Sequence, residues 1–176
     1  MNDTQATATI ELAPINDRIW QLSGSGDFNN DNTTDLLWYN HNTGEIVTWS
    51  LENAAIKERA QFDSQQTDTQ WQLQGSGDFD GNGTDDLLWI HTSQNQAAIW
   101  FMNGLSRTQP QAIIRQTMQA GQNLGAIADY NQDGKADLTW YTPTGQSETW
   151  LMNGNIVTQT LGLRSPDTSS SWQILG

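Results

Sequence analysis

The chain has no cysteine, only two histidines, and seven lysine and arginine residues against 20 acidic ones, for a net charge of −13 over 176 residues. Without cysteine there is no thiol nucleophile and no thiolate metal ligand, and the redox compartment is left open. Scarce basic residues exclude a nucleic-acid partner, because phosphate neutralisation needs clustered Lys and Arg. No apolar run approaches the roughly 18 residues that a membrane span requires. The opening MNDTQATATIELAP lacks both a basic start and an apolar core, so no secretory signal is expected there.

What is present is a repeat. The stretch DFDGNGTDDLLW from Asp78 also occurs as DFNNDNTTDLLW from Asp27 and DYNQDGKADLTW from Asp129, with starts 51 residues apart. Such a period marks an array of one supersecondary unit. With nine Trp, 15 Gly and 35% hydrophobic residues, the composition suits a compact, soluble, all-β chain of one domain.

Each copy places oxygen-bearing side chains at positions one, three, five and nine. These are Asp27, Asn29, Asp31 and Asp35; Asp78, Asp80, Asn82 and Asp86; and Asp129, Asn131, Asp133 and Asp137. Position six is Asn32, Gly83 or Gly134, residues that tolerate positive φ and let the chain curl round a centre. Hard oxygen donors without His or Cys suit Ca²⁺ rather than zinc or copper. The backbone carbonyl of position seven (Thr33, Thr84, Lys135) is expected to add a ligand. Nine of the acidic residues are these aspartates, and three bound Ca²⁺ would offset nearly half the net charge. An EF-hand is rejected, because position twelve is Trp38, Trp89 or Trp140 where a bidentate Glu is needed. The LLWY, LLWI and LTWY runs instead read as strands buried on both faces.

In chain order, residues 1–18 form a lead-in with TATIEL as a strand. Unit one spans 19–70, unit two 71–121 and unit three 122–168, and 169–176 opens a further unit or a closing strand. The units open with WQLSGSG at Trp20 and WQLQGSG at Trp71; unit three has QNLGAIA at Gln122, and WQILG recurs at Trp172. Turns at Gly44, Asn95 and Gly145 precede second Trp strands centred on Trp49, Trp100 and Trp150. Asn103-Gly104 and Asn153-Gly154 signal tight hairpins, while unit one has Glu52-Asn53 there. A last strand is expected within IKERAQF, AIIRQTM and IVTQTLG. Four antiparallel strands in about 50 residues is the size of one β-propeller blade. The predicted fold is therefore an all-β propeller with three full four-stranded blades. Leu36 and Trp38 should face one neighbour and Leu37 and Tyr39 the other, with the Trp positions forming the core between blades.

The arrangement WQLxGSGDFDGxGxxDLLW, a glycine turn, then WxMNG, resembles the FG-GAP or VCBS repeat of integrin-like propellers over residues 19 to 163. The resemblance implies about one Ca²⁺ per blade, three per chain, with the loop residues named above as ligands. It further implies a non-catalytic module for adhesion or for binding a protein or glycan partner, outside the cell or on its surface, with calcium as structural support. The alternative is a lectin that reads carbohydrate at blade junctions or rim loops.

An enzyme is not expected. His41 and His91 lie in strand-to-turn stretches at inequivalent positions and read as surface residues. Ser25 and Ser76 sit in repeated GSG segments, and no GxSxG elbow occurs. Glycosylation patterns at Asn32 and Asn82 fall inside the metal loops, where a glycan would block ligation, and the pattern at Asn2 says nothing without a host. Glu148 stands in the slot of Val47 and Ala98 with no reason visible in the sequence. Propellers close with 4–8 blades, so three blades would leave two apolar faces. Self-association into a dimer that completes a six-bladed ring is expected, or else a partner chain.

Overall fold

A computed structural model describes residues 19–52, 55–63 and 65–163. Among the described residues there is no helix, and hence none able to cross a membrane. The expected TATIEL strand, the Trp172 opening and the turn at Asn53 lie outside the described residues.

Three four-stranded antiparallel sheets follow one another. The first holds β1 (Trp20–Gly26), β2 (Asp35–Asn40), β3 (Ile46–Glu52) and β4 (Ala55–Gln61) in chain order. The second holds β5 (Trp71–Gly77), β6 (Asp86–His91), β7 (Ala97–Trp100) and, at the far edge, β10 (Ala112–Ile113). A small hairpin of β8 (Met102–Asn103) and β9 (Ser106–Arg107) extends it. The third holds β11 (Asn123–Ala128), β12 (Asp137–Tyr141), β13 (Ser147–Asn153) and β14 (Ile156–Leu163). The second sheet's outer edge is broken between β9 and β10, where β4 and β14 run on, and Pro110 lies in the gap.

The first strand of every sheet carries the same irregularity, a register shift between Leu22 and Gly24, Leu73 and Gly75, and Leu124 and Ala126. The turns at Gly44, Asn95 and Gly145 all have positive φ (75°, 51° and 84°). Both expected hairpins are tight, with Gly104 and Gly154 (φ 61° each) as the first of two loop residues and Asn103 and Asn153 paired on the strand.

The core lies between sheets. Leu37, Tyr39 and Ile46 of the first sheet pack with Trp71, Leu87, Trp89 and Trp100 of the second. Leu88, Ile99 and Phe101 on the second sheet's other face pack with Leu138, Trp140, Trp150 and Met152 of the third. The expected alternation therefore holds, and each buried large side chain contributes roughly 1.5–3 kcal/mol. In each sheet the two strand tryptophans meet as a tilted pair, with centroids 4.8, 4.8 and 5.1 Å apart.

The inner strands come close. Ser76 Oγ donates to Ser25 O at 3.0 Å, and a Cβ on Gly24 would lie 3.6 Å from Gly75 Cα. A Cβ on Gly26 would fall 1.9 Å from the Asp85 carboxylate, so only glycine admits that neighbour. His91 is a correction to the surface reading: it is buried, edge-on to Trp71 at 5.0 Å. His41 is exposed and bonded to Gln21.

Candidate metal loops

The three repeat loops join the first and second strands of their sheets, so strands flank them on both sides. Their shape comes from a ladder of local side-chain to backbone bonds. At position one, Asp27, Asp78 and Asp129 accept from the N–H of position five at 3.1, 3.1 and 3.2 Å. Their second oxygens accept from the N–H of position six at 2.8, 2.8 and 2.9 Å. Position three (Asn29, Asp80, Asn131) accepts from the position-five N–H at 3.0, 3.1 and 3.0 Å. Position five (Asp31, Asn82, Asp133) accepts from the position-seven N–H at 2.8, 2.7 and 2.9 Å.

Position six has positive φ in all three loops, at Asn32, Gly83 and Gly134. Position four does too, at Asn30 (58°), Gly81 (79°) and Gln132 (61°), which sequence reasoning missed because Gln132 is not a type that favours positive φ.

Position nine holds the loop to the sheet. Asp35, Asp86 and Asp137 have no exposed surface, and each accepts the N–H of position two (Phe28, Phe79, Tyr130) at 3.3, 2.9 and 2.9 Å. The other oxygen of Asp86 and Asp137 accepts the N–H of Met102 in β8 or Met152 in β13, at 2.8 Å each. Asp35 Oδ1 is buried with no hydrogen-bond partner. Burial pushes the Asp86 carboxyl up to about 7 against the pull of the Met102 and Phe79 amides, and it raises Asp35 and Asp80 as well. Asp31 is held below its usual range by the Thr33 hydroxyl and amide.

Loop two gathers charge most closely: one oxygen each of Asp78, Asp80 and Asp86 lies within 4.8 Å of the others, and no second such trio occurs among the described residues. Asn29 and Asn131 replace Asp80 in the other loops, and each donates its amide to the position-five carboxylate, at 3.1 and 3.0 Å. In loop two the amide of Asn82 turns away, to Met102 O at 2.8 Å. The donor set of loop two therefore fits a hard divalent cation: three clustered carboxylates, all oxygen, two of them (Asp80 and Asp86) raised by burial. At Asp35 the corresponding oxygen lacks the backbone amide that Asp86 and Asp137 receive, and the Ser50 hydroxyl is what helps hold its charge. Neighbouring loops are also stitched together, with Asp85 N donating to Asp27 O at 3.0 Å and Ala136 N to Asp78 O at 2.7 Å.

The two departures in the third unit prove to be one structure. Glu148 Oε1 accepts from Gln122 Nε2 at 2.8 Å and from Trp150 Nε1 at 2.9 Å. In the second unit the corresponding indole, Trp100, donates instead to Gln111 at 3.1 Å.

No curated protein gives a significant match to the chain. A family model does match, over the stretch from the first aspartate of loop two to the β12 tryptophan: across residues 78–140 the chain carries an FG-GAP-like repeat.

Proposed function

We propose that the chain is a non-catalytic, calcium-stabilised propeller module for adhesion or protein–protein interaction, working outside the cell. The observation that carries this reading is the Asp78, Asp80 and Asp86 trio within 4.8 Å, inside the segment that matches the FG-GAP-like repeat. Carboxylates at that separation repel by on the order of 1 kcal/mol per pair even in water-like surroundings. A bound Ca²⁺ removes that repulsion and fixes the loop against its neighbours. Loop two is the strongest of the three sites: every loop carries three carboxylates and one Asn, but only in loop two do the three carboxylates gather within 4.8 Å, whereas in loops one and three the position-three Asn donates its amide to the position-five carboxylate.

The ends of the stack support a larger ring. Leu22 on the first sheet is 51% exposed where its counterpart Leu73 is 7%. Tyr130, in the loop of the third sheet, is 47% exposed where Phe28 and Phe79 are fully buried. A second copy completing six blades would cover both. Stacking of sugars is the weaker reading, since no Trp among the described residues is exposed.

The test is thermal unfolding with and without calcium. An ion held at 100 times its dissociation constant adds about 2.7 kcal/mol per site, so chelation should lower Tm, and Asp78→Ala should blunt the response. An unchanged Tm on chelation would make the loops turn formers only. Light scattering of a well-folded monomer would remove the six-bladed dimer.

A further inference from the structure

A cavity of about 710 Å³ opens across one face of the third sheet, lined by Gln122, Thr142, Gln146, Ser147, Glu148 and Gly162 among others. Four differences from the second unit create it, two of which (Gln122 for Trp and Glu148 for a small apolar residue) also separate it from the first. Gln122 and Thr142 stand where the second unit has the Trp71–His91 pair, Glu148 stands in place of Ala98, and Gly162 in place of Ile113. Along this face the cross-strand row is Leu73, Trp89, Ala98, Ile113 in the second sheet and Leu124, Trp140, Glu148, Gly162 in the third. An apolar plug has become a polar recess with a single carboxylate at its centre.

That carboxylate is fixed by only one of its oxygens. Oε1 takes both the Gln122 and the Trp150 donors, and among the described residues Oε2 has no hydrogen bond. Trp140 and Trp150 are fully buried, so the recess offers no aromatic face on which a sugar ring could stack. Its chemistry, acceptor oxygens around one negative charge in a chain of net charge −13, suits a cation.

Gly162 gives the direction of entry. A Cβ there would meet nothing within 4 Å and the backbone is ordinary strand, so neither crowding nor conformation demands glycine. It lies opposite Glu148 on β14, and among the described residues β14 pairs only with β13. β14 is exposed and carries no charged residue, whereas the edge strand β4 carries Lys57, Glu58 and Arg59. Charges on an edge strand discourage strand addition, and β14 lacks them. A strand added beyond β14 would place the residue opposite Gly162 about 10 Å from Glu148, two strand spacings away. A Lys or Arg side chain spans that gap, and a bare glycine leaves the way clear.

We propose that β14 takes up an extended segment of a partner protein as a fifth strand, and that a Lys or Arg of the segment crosses Gly162 to pair with Glu148. This rests on reading the chain as a protein-interaction module, and adds the partner's chemistry and the place where it docks.

The test uses labelled heptapeptides Thr-Val-Thr-X-Thr-Val-Thr, with X as Lys, Arg or Gln, titrated by fluorescence anisotropy against the full chain in calcium. The Lys and Arg peptides should bind at least tenfold tighter than the Gln peptide. Glu148→Gln keeps an acceptor for Trp150 and should erase that preference. Gly162→Val fills open space, so Tm should hold while binding falls at least tenfold. Equal binding of all three peptides, or an undiminished preference in Glu148→Gln, would overturn the proposal. Spermidine binding as tightly as the Lys peptide would make this a small-amine site. Displacement of the Lys peptide by a synthetic 165–176 peptide would make the chain's own end the occupant, and displacement by rising protein concentration would point to a second copy; each outcome overturns a partner strand. An intact calcium response in Tm alongside a failed peptide titration would sink this inference and leave the module reading standing.

Discussion

Gln122 donates its side-chain amide to Glu148 across 2.8 Å, joining two departures from the repeat that lie 26 residues apart in the chain. The same Glu148 oxygen receives the Trp150 indole. Removing it strands two donors, one from a fully buried ring. Glu148→Ala should therefore cost about 1–3 kcal/mol in chemical denaturation. In a Gln122→Ala background the same change should cost less, with a coupling of roughly 0.5 kcal/mol or more. Simple additivity would mean the pair is incidental.

Asp86 and Asp80 should separate structural from ligand roles. Asp86 accepts two backbone N–H groups at the centre of the sheet, whereas Asp80 accepts only within its own loop. Asp86→Ala should destabilise by several kcal/mol even in chelator, because both buried amides lose their acceptor, at about 1–3 kcal/mol each. Asp80→Ala should matter chiefly when calcium is present. Equal losses in chelator would contradict this division.

The buried acids fix the sign of the pH dependence. Burial raises Asp86 to about 7 and Asp85 to about 6, from an ordinary 3.8. Between those limits the folded state holds protons that the unfolded chain has released, so stability falls as pH rises from about 4 to 7. Calcium must displace the Asp86 proton, so affinity at loop two should climb between pH 6 and 8. Asp31, lowered by Thr33, acts oppositely and only at still lower pH. Calorimetric scans of chelated protein that show Tm flat or rising over that window would refute the assignment.

Two glycine substitutions should differ in kind. At Gly44 (φ 75°) a Cβ would fall 1.9 Å from Gln66 O, a backbone atom tied back through Gln66 N to Gly44 O at 3.1 Å. At Gly134 (φ 84°) nothing lies within 4 Å. Gly134→Ala should cost roughly 1–2 kcal/mol for the left-handed backbone alone, and Gly44→Ala clearly more. Denaturant midpoints of the two variants check the order.

Much of this was legible before any coordinates. The strand tryptophans, the alternation of Leu36 and Leu37, the left-handed turns at Gly44, Asn95 and Gly145 and the curled loops all follow from patterns spanning a few residues. The left-handed residues at position four are less legible because Gln132, unlike Asn30 and Gly81, is not a type that favours positive φ; there only the completed bond ladder imposes that backbone. His91 was misread for a related reason, since its burial depends on Trp71, a partner on the neighbouring strand.

What the sequence alone determined is local and repeated: strand, turn and acidic loop, written three times and governed by bonds within about seven residues. What tertiary structure decided is which side chains of separate strands meet. It set Asp85 against Gly26, and joined Gln122, Glu148 and Trp150 beneath an open cavity. A repeat fixes the geometry of each sheet, but the fit between strands and sheets depends on side chains far apart in the chain, and local patterning carries no record of that distance.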